Sequence, residues 1–175
     1  GLLGRFSVFS NRVLRAFTPR FQEKKLIVSL TDAICSFDKH ANLSLELFSD
    51  ELRGSLQGNK RLGAVHARVG LLECAERLFI QRTFREEDVE AAIAVASAAV
   101  GVIEDRDPKI RDAAIKALSA QRLWSASFFS ERVSPLLNNH QRALKKVLGT
   151  EREREGLKRD GVKREGLKNN SSESK

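Results

Sequence analysis

"SLTDAICSFDKHANLSLELFSDEL", Ser29 to Leu52, reads as two short helices meeting near Asn42. Apolar residues recur at three- and four-residue spacing on both sides of the asparagine, and no alternating pattern competes with them. Asn42 is expected to cap the second helix, with Glu46 in the first turn, where the helix dipole favours a carboxylate. The same periodicity, followed outward, predicts helices near 22–38, 43–56, 61–81, 86–104, 108–121 and 125–149. Asp107-Pro108 predicts a cap followed by proline at the first helical position, where its missing N–H costs nothing. Gly58-Asn59 is expected to close the second helix.

Bulk composition agrees with a helical body. Of 175 residues, 41% are hydrophobic and only three are proline. A chain of this length can bury roughly 70% of its unfolded surface. The longest apolar run, Ala91 to Ile103, falls short of the roughly 20 residues that span a bilayer, so no transmembrane segment is expected.

A shift of about 65 residues aligns Ala33 with Ala98, Phe37 with Val102, Asn42 with Asp107, Leu45 with Ile110, Phe48 with Ala113 and Leu52 with Ala117. Cap and apolar positions coincide while surface positions do not, as stacked helical repeats require. The expected fold is therefore all-α: a short stack of antiparallel helical hairpins, an α-solenoid, over 22–150. A basic amphipathic arm at 1–21 precedes it and a charged low-complexity tail at 151–175 follows. The expected core is Leu30, Ala33, Phe37, Leu47, Phe48, Leu52, Leu71, Leu72, Cys74, Leu78, Ile93, Ile110, Ala114 and Leu118.

The net charge of +8 is unevenly placed. Residues 1–20 hold four arginines (Arg5, Arg12, Arg15, Arg20) and no acid, and 151–175 hold eight basic against six acidic residues. That leaves nineteen basic and seventeen acidic residues between them, a nearly neutral body without a cationic track for a polyanion. In the arm, Leu2, Phe6, Phe9, Val13 and Phe17 share a helical face with arginines around the rest, the pattern of a mitochondrial transit segment. The alternative is a basic amphipathic arm that docks on an acidic surface without targeting meaning. The chain lacks methionine, so it is expected to begin after an earlier cleavage. The expected location is the mitochondrial matrix, any membrane association being made through its complex. In the tail, glycine recurs at Gly156, Gly161 and Gly166. Each costs a helix about 1 kcal/mol, which predicts an extended or partly disordered strap.

Candidate chemistry is sparse. Cys35 and Cys74 sit inside apolar helical patterns, which suits buried, reduced thiols, and a metal site built from them with His40 and His66 lacks close ligand spacing. Asp38-Lys39-His40 and Glu86-Glu87-Asp88 can be drawn as acid–base clusters, but such runs more often solvate helix ends. No Gly-rich phosphate loop, His-Glu metal motif or nucleophile with a partnered base stands in the sequence, so neither catalysis nor a cofactor is expected. Trp124, with Phe128 and Phe129, reads either as a hydrophobic cluster closing the stack or as an exposed anchor for a partner. The candidate partner-binding residues are Trp124, Phe128 and Phe129, with Arg5, Phe9, Arg12 and Arg15 of the arm.

Ser29 to Leu52 resembles the pentatricopeptide repeat. Ile34-Cys35 matches the aliphatic-Cys pair that ends that family's first helix. Leu45-Glu46-Leu47-Phe48, then Asp50-Glu51, match its second, with an interval one residue longer than usual. "EDRDPKIRDAAIKAL", 104–118, also looks like the turn of a HEAT repeat, and either family implies a right-handed stack of helical hairpins. The pentatricopeptide resemblance implies single-stranded RNA binding at about one nucleotide per repeat, with Ser29 and Asn59 in specificity positions. Three repeats would read only about three nucleotides. The expectation is therefore a non-catalytic accessory subunit of a large mitochondrial assembly. The resemblance implies attachment to the outside of the F1 head of ATP synthase, where pentatricopeptide-like subunits occur in euglenozoans, with F1 α and β as partners. The alternative is a mitochondrial ribosomal or other RNA-associated pentatricopeptide-like protein.

Overall fold

The helix starts at Leu45, Pro108 and Ala126 follow from proline and from short polar side chains. A computed structural model describes residues 12–41, 43–57 and 62–149, and 84% of these are helical, in eight α-helices with no strand among the described residues. Helix α1 spans residues 12–17 and runs into a 3-10 turn, Thr18–Gln22, with Pro19 in its first turn. A second 3-10 turn, Lys24–Leu26, leads into α2, Ile27–Ala41. Then come α3, Leu45–Gln57, α4, Val65–Gln81, and α5, Val89–Val100, the last entered through the 3-10 turn Glu86–Asp88. Helix α6, Pro108–Trp124, begins as expected: Pro108 stands in the first turn and an Asp107 carboxylate oxygen accepts from the Lys109 N–H at 2.8 Å.

Two ends differ from expectation for local reasons. The cap of α3 is Ser44, whose hydroxyl accepts from the Leu47 N–H at 3.3 Å. Asn42 lies outside the described residues, as do Gly58-Asn59. The expected continuous helix over 125–149 is broken. Ser125 caps a short α7, Ala126–Phe128, which widens into a π turn, Phe129–Val133, and tightens into a 3-10 turn, Ser134–Leu137, before α8 at residues 141–149. Pro135 is the cause, because it has no N–H to give a carbonyl one turn back and its ring crowds that carbonyl.

Same-direction neighbours define the packing. Helix α4 lies between α2 and α6, and α3 lies against α5. Asp32 reaches Arg77 and Asp38 reaches Arg82 across α2 and α4, so these helices run parallel. Arg68 reaches Asp105 just ahead of α6, and Phe79 meets Trp124 at its end, so α4 and α6 run parallel too. Gln121 donates to the Ala92 carbonyl at 2.9 Å, tying α6 to α5. Small side chains on these faces, among them Ala67, Ala75, Ala96, Ala99, Ala114 and Ala117, let the backbones approach closely.

The alignment at about 65 residues is not the spacing of these neighbours. It superposes α2 on α5 and α3 on α6, whereas α2 packs beside α4. Eighteen turns of about 3.6 residues make that same interval, so any two amphipathic helices in phase match at it. Of the expected core, ten residues are buried, while Ala33, Phe37, Leu47 and Ile93 sit at its margin. In α2 the buried stripe is Leu30, Thr31, Ile34, Cys35 and Asp38, rotated from the expected face. The described part of the arm joins the body: Leu14 and Phe21 are fully buried, with Val13 and Phe17 half-buried beside them. His66 Nε2 lies 2.7 Å from the Gln22 carbonyl and fastens this segment to α4. No described helix is long and apolar enough to cross a membrane.

Gly70 of α4 is where Phe21 docks. A Cβ there would stand 2.7 Å from Ile27 Cγ2 and 3.0 Å from the Phe21 ring, whereas a Cβ on Gly54 of α3 would meet nothing within 4 Å. Gly54→Ala is expected to raise stability by up to about 1 kcal/mol through helix propensity. Gly70→Ala is expected to lower it by about 1–2 kcal/mol through overpacking. Urea unfolding of both variants checks this, and a stabilised Gly70→Ala would contradict the docking of residues 12–22.

Candidate functional site

The two acidic runs read from the sequence meet at one arginine. Asp38 closes the buried stripe of α2, and Arg82 is the residue at which α4 stops. The Arg82 guanidinium grips Asp38 two-handed, Nη2 to Oδ1 at 2.5 Å and Nε to Oδ2 at 3.1 Å, and also donates to the Leu43 carbonyl between α2 and α3. Its Nη1 donates to Asp88 Oδ2 at 3.2 Å, and Arg85 Nε donates to the same oxygen at 2.9 Å. Gln81 Nε2 completes the shell, donating to Asp38 Oδ2 at 2.9 Å and to the Cys35 carbonyl at 3.0 Å.

The side chains of Asp38 and Arg82 are each only 5% exposed. Two carboxylates and two guanidiniums neutralise one another in this cluster, and each partner satisfies most of the other's hydrogen-bonding capacity. An open polar depression of about 520 Å³ lies beside it, lined by Lys39, Thr83 and Arg85 as well as the buried pair. What the arrangement does chemically is hold charge fixed. Asp38 and Asp88 are bound to arginine, and His40 and Lys39 point outward as exposed residues. Glu86 and Glu87 are exposed as well, with Glu87 3.2 Å from Arg85.

A second buried pair repeats the device at the opposite end of α4. Arg68 Nη1 donates to Asp105 Oδ2 at 2.8 Å, while Asp105 Oδ1 accepts from the Asp107 N–H at 3.0 Å and so orders the turn into α6.

Cys35 and Cys74 face each other across α2 and α4, both free and buried. The hydrogen bond between their thiols, with burial, pushes Cys74 well above the ordinary thiol range. The same bond lowers Cys35, against an opposing effect of burial. Among the described residues no group of three His, Cys, Asp or Glu is placed to hold a metal ion.

The aromatic residues singled out as partner anchors lie inside. Trp124 is 8%, Phe128 5% and Phe129 2% exposed. Trp124 packs against Phe79 at 5.2 Å, Phe84 at 4.8 Å and Phe128 at 5.4 Å between ring centroids, the edge and tilted geometries aromatic pairs prefer. These three residues close the end of the body. Arg12 and Arg15 are exposed, with Arg15 Nε 3.8 Å from a Glu51 carboxylate, and Arg5 and Phe9 lie outside the described residues. Arg82 and Arg68 were missed in the sequence. The signal for the first was a carboxylate, Asp38, on the apolar stripe that contains Leu30 and Ile34.

No protein-family model matches this chain, and comparison with curated proteins and with solved structures yields no match either.

Asp38→Asn is expected to cost about 3 kcal/mol or more, since it leaves a buried guanidinium short of its counter-charge. Asp32→Asn, which breaks the exposed pair with Arg77, is expected to cost less than about 1 kcal/mol. Urea midpoints compare the two directly, and equal costs would place Asp38 outside the stabilising network. Neither cysteine is expected to react with iodoacetamide in the native protein at neutral pH, while both react in urea. Fast native labelling of Cys35 would show that α2 and α4 separate readily.

Proposed function

We propose that this chain is a non-catalytic accessory subunit of a large mitochondrial assembly, docking as a short stack of antiparallel helical hairpins of the pentatricopeptide or HEAT kind. The assembly the resemblance at Ser29 to Leu52 favours is ATP synthase, with attachment to the outside of its F1 head. The observation that carries the reading is the way Asp38, Arg82 and Asp88 engage one another. The residues nearest to an acid–base constellation are spent in holding helix ends together, which is the work of a scaffold. The near balance of charge between the two termini supports a protein partner over a polyanion, because phosphate contacts need a basic track. Because Trp124, Phe128 and Phe129 are buried, the proposed docking surface is drawn from the exposed faces of the helices.

The reading is tested by native purification of the tagged protein from mitochondria, with RNase treatment at moderate salt and mass spectrometry of the retained proteins. F1 α and β subunits are expected to remain bound after RNase. Ribosomal proteins that fall away with RNase would overturn the reading in favour of an RNA-associated subunit.

A further inference from the structure

Helices α6 and α8 flank a cleft of about 730 Å³ on the exterior of the body. They run in the same general direction. At one end Glu104 Oε1, ahead of α6, lies 2.8 Å from His140 Nδ1, ahead of α8. At the other, the Arg122 guanidinium donates to the Leu148 carbonyl at 3.1 Å. Each helix therefore presents residues one turn apart to the cleft: Arg111 and Ile115 from α6, Arg142 and Lys146 from α8.

The cleft carries three cations from its two walls above an apolar floor of Ile103, Ile115 and Ala143. Arg111 is held in place by donating to the carbonyls of Asp105 at 2.7 Å and Arg106 at 3.0 Å, so its charge is fixed without a carboxylate partner in those bonds. Arg142 and Lys146 are exposed and form no ion pair among the described residues. The one carboxylate that lines the cleft among the described residues, Glu104, is engaged by His140.

We propose that this cleft is a docking groove for an acidic amphipathic segment of a partner protein, with carboxylates one helical turn apart meeting Arg142, Lys146 and Arg111 and an aliphatic side chain on the floor between them. Two parallel walls with matched one-turn spacing suit a helix laid into a groove. Charge complementarity selects the occupant and speeds its arrival. Among the described residues no Phe, Trp or Tyr lines the cleft, and the His140 ring is turned to Glu104, so the bases of an RNA strand would find no stacking platform there. The groove deepens the docking reading and rests on it for its biological partner, but not for its chemistry.

The test uses the full chain and a fluorescein-labelled helical peptide carrying glutamates one turn apart beside a leucine stripe, its Glu→Gln counterpart, and a single-stranded RNA of mixed sequence. The Glu peptide is expected to bind at least tenfold more tightly than the Gln peptide, and Arg142→Glu/Lys146→Glu is expected to abolish that preference. Arg142→Gln/Lys146→Gln should give an intermediate loss, with far-UV circular dichroism unchanged in both variants. Equal binding of the Glu peptide by the wild type and the charge-reversed variant overturns the proposal. So does RNA binding that the charge-reversed variant loses while the Glu peptide fails to bind. Failure with F1 subunits still retained in native purification removes the groove alone. Peptide binding without F1 retention removes the assembly reading alone.

Discussion

The packing of this protein turns on one guanidinium. Arg82 joins the end of α2 and the link into α3 to the end of α4 and the entry to α5, two stretches of chain that lie far apart in sequence. Hydrophobic burial drives the helices together but is non-directional, so it leaves their sliding and rotation loosely determined. A two-handed arginine–carboxylate pair is directional, and in a nearly dry site its loss is expensive because the surviving charge has no substitute partner. Arg68 and Asp105 do the same at the other end of α4. The central helix is thus pinned at both ends, and the small side chains between the pins set how closely its neighbours approach.

The approximate positions of α2 to α6 were readable in the sequence because the 3.6-residue period acts over short range. The start of α6 was readable because Asp107-Pro108 is a purely local device. Rotation was less readable: α2 turns so that Ile34 and Cys35 face inward while Ala33 and Phe37 sit at the margin, a choice made by α4 and not by α2 alone. The break in the last expected helix was missed although Pro135 signals it, because the continuous apolar pattern concealed it. The Arg82 cluster was not readable as a cluster, since Asp38 and Arg82 are 44 residues apart. Only the placement of Asp38 on an apolar stripe hinted that a cation must arrive from elsewhere. Trp124 was open in sequence because a terminal aromatic suits a core lid and an interface anchor equally. Contact with Phe79, Phe84 and Phe128 makes it a lid.

A division of labour follows. The buried arginines and aspartates pair with one another and maintain the fold, whereas exposed cations stand on the walls of the cleft between α6 and α8. In the proposed docking role the interior would be the same in the free and assembled states, and the exterior would carry recognition. Rigid presentation favours this arrangement, because a groove whose walls are already in place loses less entropy on binding.

Hydrogen exchange of the backbone amides, compared between the free protein and its native assembly, separates interior from exterior most directly. Protection is expected to rise in α8 around Arg142–Lys146 and in the facing turn of α6, with exchange across 82–88 unchanged. A gain in protection centred on 82–88, with none in α8, would contradict it and make the Arg82 cluster itself the place where the partner acts.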